Sequence, residues 1–321
     1  MTRMLALARG LGCALLAGLC GCGSSSPVSV AVSGGGDILT LIPTPGTTSI
    51  AGTLDQDGDQ RSYIGIVPAA PVAGAPLLVM LHPLDTTNIQ MANLTLVGRL
   101  AADDGAIVVL PEGENGTWND ELNPSEPDDV AFIAALIASI SQQYQTDPAR
   151  VYVMGFSQGG FMTERLVCNL SQTIAAAAAV GSLLKNSVAA SCTPSRQIPL
   201  AFINGTADPV NSYQGQLLVG TQSAPASAAF WAQEEGCSIL LPTTTNPPAT
   251  VADGTSISIT TYPPCPSGIG VDFFTVNGGG HTWPGSPFPS QYGATTQNMD
   301  ATLQLWQFFQ QPTQTISAPI T

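Results

Sequence analysis

The sequence predicts an α/β fold, built as a mainly parallel sheet with helices on both faces. Two observations carry that prediction. Short apolar runs at residues 76–82, 106–110, 198–203 and 271–276 are nearly continuous rather than alternating, as in strands buried on both faces. Segments between them carry the three- and four-residue apolar spacing of helices.

Taken in order, residues 27–50 are rich in Ser, Gly, Thr and Pro and read as a loose lead-in. Residues 63–67 are strand-like, and the buried run 76–82 follows, ending in His82. A helical stretch at 90–102 leads to the strand at 106–110. Asp128 and Asp129 open a helix through about Tyr144, with Val130, Ile133, Ile137 and Ile140 on one side and acids suited to its positive end. A strand at 150–154 runs into Ser157, after which a helix begins. The strand at 198–203, a helix at 226–235 opened by Pro225, the strand at 271–276 and a helix at 299–310 complete the alternation. Trp231 and Trp306 fall on helical patterns and read as core, and no internal repeat is visible.

The N-terminus reads as a processing signal: Arg3 precedes an apolar stretch that ends in Leu19-Cys20-Gly21-Cys22. This resembles a bacterial lipobox, with Leu three places before the cleavage point, a small residue just before it and Cys22 at the lipidated position. Leu19 is too bulky for Cys20 to take that place. The expected organisation is therefore a lipoprotein signal peptide at 1–21, a lipidated Cys22 and flexible tether at 22–50, one catalytic domain at 51–312 and a tail at 313–321. An ordinary cleaved signal peptide is the alternative; either implies export, to a cell-surface or outer-membrane position or onward to the medium.

Removing residues 1–21 takes away Arg3 and Arg9 and no acid, so the net charge moves from −14 to −16. Such a surface repels nucleic acid and anionic polymers and suits neutral substrates, with solubility the simpler reason for it. Apart from Cys22, the exported chain keeps Cys168, Cys192, Cys237 and Cys265. Two disulfides are expected in an oxidising compartment, although four cysteines allow three connectivities. Sequential pairing would close two short loops. Both histidines lie far from the cysteines, so nothing reads as a zinc arrangement.

The sharpest chemical signal is Gly155-Phe156-Ser157-Gln158-Gly159, set between a buried strand and a helical segment. That context is a nucleophile elbow, in which glycines allow the sharp turn that thrusts a hydroxyl outward, and it narrows the prediction to an α/β-hydrolase fold. A serine hydroxyl needs a base, and only His82 and His281 exist. In this fold the nucleophile, acid and base follow in that order, which selects His281. Asp208, just past the strand at 198–203, is the acid expected to orient its imidazole. Asp129 precedes Ser157 and reads as a helix-terminus acid, whereas Asp272 is expected to face solvent from its strand. The oxyanion donors are expected to be the backbone N–H of Gln158 and, because Pro83 has none, that of Leu84. Trp118 and Trp283 are candidate walls for an acyl group, with ordinary packing as the alternative.

Together these segments resemble the polyhydroxybutyrate-depolymerase/feruloyl-esterase group of secreted esterases. The resemblance rests on His82, Trp118, residues 128–132, the Gly-Phe-Ser-Gln-Gly-Gly elbow, residues 205–209 and Gly280-His281-Thr282-Trp283-Pro284-Gly285, and spans residues 61–309. It implies the same three catalytic residues, the pairings Cys168–Cys192 and Cys237–Cys265, and a neutral polyester, oligoester or plant-wall ester as substrate. It departs at Pro83, where that group usually has Gly. No metal or other cofactor is implied, a monomer is expected, and membrane contact runs through the lipid anchor alone. An acyltransferase or peptidase of the same fold, or a non-catalytic binding lipoprotein, are the competing readings.

Overall fold

A computed structural model describes residues 40–310 except 57 and 267. The expected signal peptide, the expected lipidation site at Cys22 and the expected tail at 313–321 lie outside those residues. The first elements of the described residues are an antiparallel pair, β1 (Thr47–Gln56) and β2 (Asp59–Pro68). Strand β1 thus occupies the end of the stretch expected to be a loose lead-in. Then come β3 (Leu77–Leu81), helices α1 (Asn88–Thr95) and α2 (Gly98–Asp103), and β4 (Ile107–Pro111). Helix α3 (Asp129–Tyr144) precedes β5 (Val151–Phe156), and α4 (Gln158–Leu170) precedes β6 (Ala176–Val180). The remainder comprises α5 (Asn186–Ser191), β7 (Leu200–Gly205), α6 (Ala224–Glu234), β8 (Thr243–Thr245), β9 (Ser256–Thr261), β10 (Val271–Asn277) and α7 (Ala301–Gln310).

The ten strands of the described residues join one sheet in the order β1-β2-β4-β3-β5-β6-β7-β10-β9-β8. From β4 to β10 neighbours are parallel; β2 joins β4, and β9 joins β10, antiparallel. Alternate residues feed two cores. Leu77, Val79, Val153, Ala177 and Phe202 pack with Phe132 and Ile133 of α3, Leu166 of α4 and Trp231 of α6. Leu78, Met80, Met154, Ala178 and Ile203 pack with Met91 of α1, Leu100 of α2 and Trp306 of α7. Both faces being covered explains why these strands read as unbroken apolar runs. Parallel strands also carry the loops after β3, β4, β5, β7 and β10 to one end of the sheet, where Ser157, Asp208 and His281 sit.

The sequential disulfides Cys168–Cys192 and Cys237–Cys265 are formed. Asp272 departs from expectation: it is 5% exposed, because β9 and β8 extend the sheet past β10 and Asp272 alternates onto a helix-covered face with Phe274 and Val276. Its Oδ2 has no hydrogen-bond partner among the described residues, and burial pushes its carboxyl up to about 7.

Candidate active site

Ser157 occupies the turn between β5 and α4 with φ 55° and ψ −117°. A non-glycine residue there is strained, at a cost on the order of 1–3 kcal/mol, and persists only where its surroundings fix it. They do so here. The Ser157 N–H donates to the Val180 carbonyl at 2.8 Å, tying the elbow to the end of β6. A Cβ on Gly155 would lie 2.1 Å from the Gly159 carbonyl oxygen, and one on Gly159 would lie 2.3 Å from that of Leu81. Both motif glycines are therefore close-approach positions that no other residue fills.

Asp208 and His281 come from neighbouring loops. Parallel pairing puts Gly205 of β7 beside Val276 of β10, and Ala207 N–H then donates to the Gly279 carbonyl at 2.9 Å. The Asp208 Oδ1 accepts from the N–H groups of Val210 (2.7 Å) and Asn211 (2.8 Å), which leaves Oδ2 for His281 Nδ1 at 2.7 Å. This arrangement fixes the proton on Nδ1, and Nε2 is without a hydrogen-bond partner among the described residues. Phe156 stacks on the imidazole with ring centroids 4.9 Å apart, and a Cβ on Gly181 would sit 3.2 Å from its Cε1. The His281 imidazole is thus held against the residue next to Ser157 and against Gly181, which follows the Val180 to which Ser157 is bonded.

His82 plays a different part. It is fully buried; its Nδ1–H donates to the Pro83 carbonyl at 2.8 Å, and its Nε2 accepts the Gly113 N–H at 2.8 Å. With both nitrogens committed in the neutral ring, burial pushes its pKa down to about 4. The Pro83 carbonyl also accepts the Thr86 hydroxyl at 2.7 Å. In a trans peptide the N–H points opposite to the C=O, so the Leu84 N–H is turned away from these inward partners. Neither it nor the Gln158 N–H bonds to another described residue.

Trp118 and Trp283 do not form an open wall. Each is 1% exposed. The Trp118 indole donates to the His82 carbonyl at 2.9 Å, and the Trp283 indole donates to Thr302 Oγ1 at 3.0 Å while meeting Phe156 edge-on. Trp118 instead connects to the elbow: its backbone N–H reaches Gln158 Oε1 at 3.2 Å, and Gln158 Nε2 reaches its carbonyl at 3.1 Å. Nor is Asp129 a simple terminus acid. Asp128 caps α3 through Ala131 N–H, whereas Asp129 is buried against Arg61 and accepts the Asn119 N–H at 2.6 Å.

Several neighbours of the site carry no sequence signal. Tyr292, 45% exposed, stands edge-on to His281, and its backbone carbonyl accepts the His281 N–H. Phe156 lies inside the elbow motif, which gives no hint of its stacking, and packs on the same face of the sheet as Met154. Glu164, beneath the elbow on α4, accepts from Ser182 Oγ at 3.0 Å and Trp231 Nε1 at 2.9 Å, and burial pushes it up to about 7.

A family model described as Esterase PHB depolymerase matches residues 61–229. The chain is 33% identical to Feruloyl esterase B of Piromyces equi over 64% of its own length and 39% of that protein, so it spans about two fifths of that relative. It is 29% identical to NocK of Nocardia uniformis subsp. tsuyamanensis, a protein named as an esterase, over 80% of this chain and 81% of that one. Among solved structures it is similar to an acetyl xylan esterase from Aspergillus awamori, with a TM-score of 0.57, 17% identity, and coverage of 73% of this chain and 94% of that one. The architecture is that of the α/β-hydrolase fold.

Proposed function

We infer, since the chain belongs to the Esterase PHB depolymerase family, that it hydrolyses carboxylic esters through an acyl-enzyme on Ser157. The observation that carries this reading is the 2.7 Å bond from Asp208 Oδ2 to His281 Nδ1, on an imidazole stacked against the residue beside a strained serine. In the mechanism Ser157 Oγ attacks the acyl carbon as His281 Nε2 takes its proton. Asp208 keeps the tautomer and stabilises the imidazolium. The Gln158 and Leu84 N–H groups receive the oxyanion. Collapse expels the alcohol with the proton from His281, and water repeats the sequence to free the acid.

The substrate is a neutral polyester, oligoester or plant-wall ester, of the polyhydroxyalkanoate or feruloyl kind. Similarity to a feruloyl esterase and a net charge of −14 support an uncharged substrate. The enzyme is exported, lipidated at Cys22 and monomeric; two disulfides support an oxidising destination. Ser157→Ala tests the chemistry. Its kcat on a soluble p-nitrophenyl ester should fall by about 10⁶, with loss of fluorophosphonate labelling. Activity retained at the parental level would exclude Ser157 as nucleophile.

A further inference from the structure

The segment between Asp208 and α6 exposes three consecutive aliphatic side chains. Leu217, Leu218 and Val219 are 96%, 103% and 60% exposed. They are not the slack of a long loop. Gln216 and Thr221 exchange backbone hydrogen bonds of 3.2–3.3 Å below the tip, and Val219 N–H and Gly220 N–H close it onto Gln216 and Leu217. The base is fastened as well: Asn186 N–H donates to the Gly220 carbonyl at 2.8 Å, and Gln216 Nε2 donates to that of Val210 at 2.8 Å. A hairpin pinned on both sides thus holds aliphatic groups outward. Exposed apolar groups of this kind mark a contact surface.

Its position and charge say what that contact is. The hairpin leaves the same loop as Asp208, at the end of the sheet where Ser157 opens, and Leu84, Val210 and Tyr292 continue the apolar rim at 38–50% exposure. Residues 209–233 carry no charged side chain in a chain of net charge −14. The nearest cation, Lys185, is already paired with Asp120 and Glu121 at 2.6 Å. A second copy or an anionic membrane would meet like charge around the patch. A polysaccharide is gripped through aromatic faces, and residues 214–222, which form the hairpin, carry none. An uncharged aliphatic solid meets neither obstacle.

We propose that Leu217, Leu218 and Val219 form a fixed aliphatic foot that adsorbs the enzyme to the surface of an uncharged aliphatic polyester and holds the Ser157 mouth against it. This rests on the esterase reading above and names its substrate class. The test compares the full-length chain with its Leu217→Ser/Leu218→Ser/Val219→Ser variant, both carrying Cys22→Ser so that no acyl chain contributes. In a Ser157→Ala background, depletion from solution onto polyhydroxybutyrate granules reads adsorption without hydrolysis. The foot variant should partition at least about tenfold less, and the difference should survive high salt, as apolar contact does. With Ser157 intact, the variant should clear granules correspondingly slowly yet match the parent on a soluble p-nitrophenyl butyrate. Equal adsorption by the two proteins would overturn the proposal, as would equal depletion of the parent onto cellulose or xylan. A parent dimer that the variant abolishes would overturn it in favour of a second copy. If the parent fails on the soluble ester while its Ser157→Ala form still adsorbs through the foot, the esterase reading falls and the docking surface stands.

Discussion

Replacing Asp272 by Asn should change how stability depends on pH. Asp272 is 5% exposed, its Oδ2 has no partner among the described residues, and burial raises its carboxyl from 3.8 to about 7. Below about pH 4 the carboxyl is protonated in folded and unfolded chains alike, and the fold keeps its full stability. As pH climbs toward 7 the unfolded chain releases the proton while the folded chain retains it, so stability falls; above that the loss is complete. About three pH units at 1.36 kcal/mol each give a total near 4 kcal/mol. Glu164 and Glu235, raised by burial to about 7 and about 8, act in the same direction, so the parent should be most stable in mild acid.

The Asp272→Asn variant removes one of these three contributions and leaves the others. Urea unfolding of both proteins, with disulfides intact, at steps from about pH 4 to about pH 8 isolates it by difference. The amide contributes a constant offset, because it does not titrate. The gap in unfolding free energy should move in favour of Asn by about 4 kcal/mol across that range. A gap that stays flat would refute the reasoning, since a carboxyl that does not gain a proton on folding is not buried without a partner.

Two further outcomes follow from contacts around the site. Gln158→Leu removes the amide pairing with the Trp118 backbone and should lower kcat about tenfold to a hundredfold with little change in KM, because the proposed oxyanion donor of the elbow loses its support. Gln158→Glu keeps an acceptor for the Trp118 N–H and should recover part of that loss in steady-state assays on a soluble ester. Replacing Cys168 and Cys192 together by Ser opens a bridge across 24 residues and should cost about 3 kcal/mol in urea unfolding without abolishing esterase activity.

What the sequence discloses follows from how strongly each position is constrained. The strands at 77–81, 107–111 and 200–205 are legible because burial on both faces excludes polar residues. Strand β6 is not: Ala176–Val180 is four alanines and a valine, alanine being the best helix former, and only pairing with β5 and β7 makes it a strand. Strand β1 is hidden among Ser, Gly and Thr because one edge strand needs few apolar residues. Within the site, the elbow and the order of Ser157, Asp208 and His281 are local or ordinal features. The burial of Asp272 is not local, since it depends on β8 and β9 lying beyond β10. The interior positions of Trp118 and Trp283 depend likewise on partners from distant segments, the His82 carbonyl and Thr302.

Pro83 shows how a residue that raises doubt in the sequence acquires a role through its neighbours. Where the family usually has Gly, Pro supplies no N–H, and the oxyanion loop is at first sight impoverished. Its carbonyl, however, accepts from both His82 Nδ1 and Thr86 Oγ1, and that pair fixes the plane of the following peptide. The Leu84 N–H must then point the other way, with no described group to satisfy it, as the proposed oxyanion donor requires. The arrangement works only while His82 keeps its proton on Nδ1 and its Nε2 lone pair on Gly113 N–H. A histidine with both nitrogens so engaged, and with its pKa pushed down to about 4, is a poor general base near neutral pH. The contacts that shape the Leu84 loop are thus the ones that take His82 out of contention and favour His281 as the proposed base.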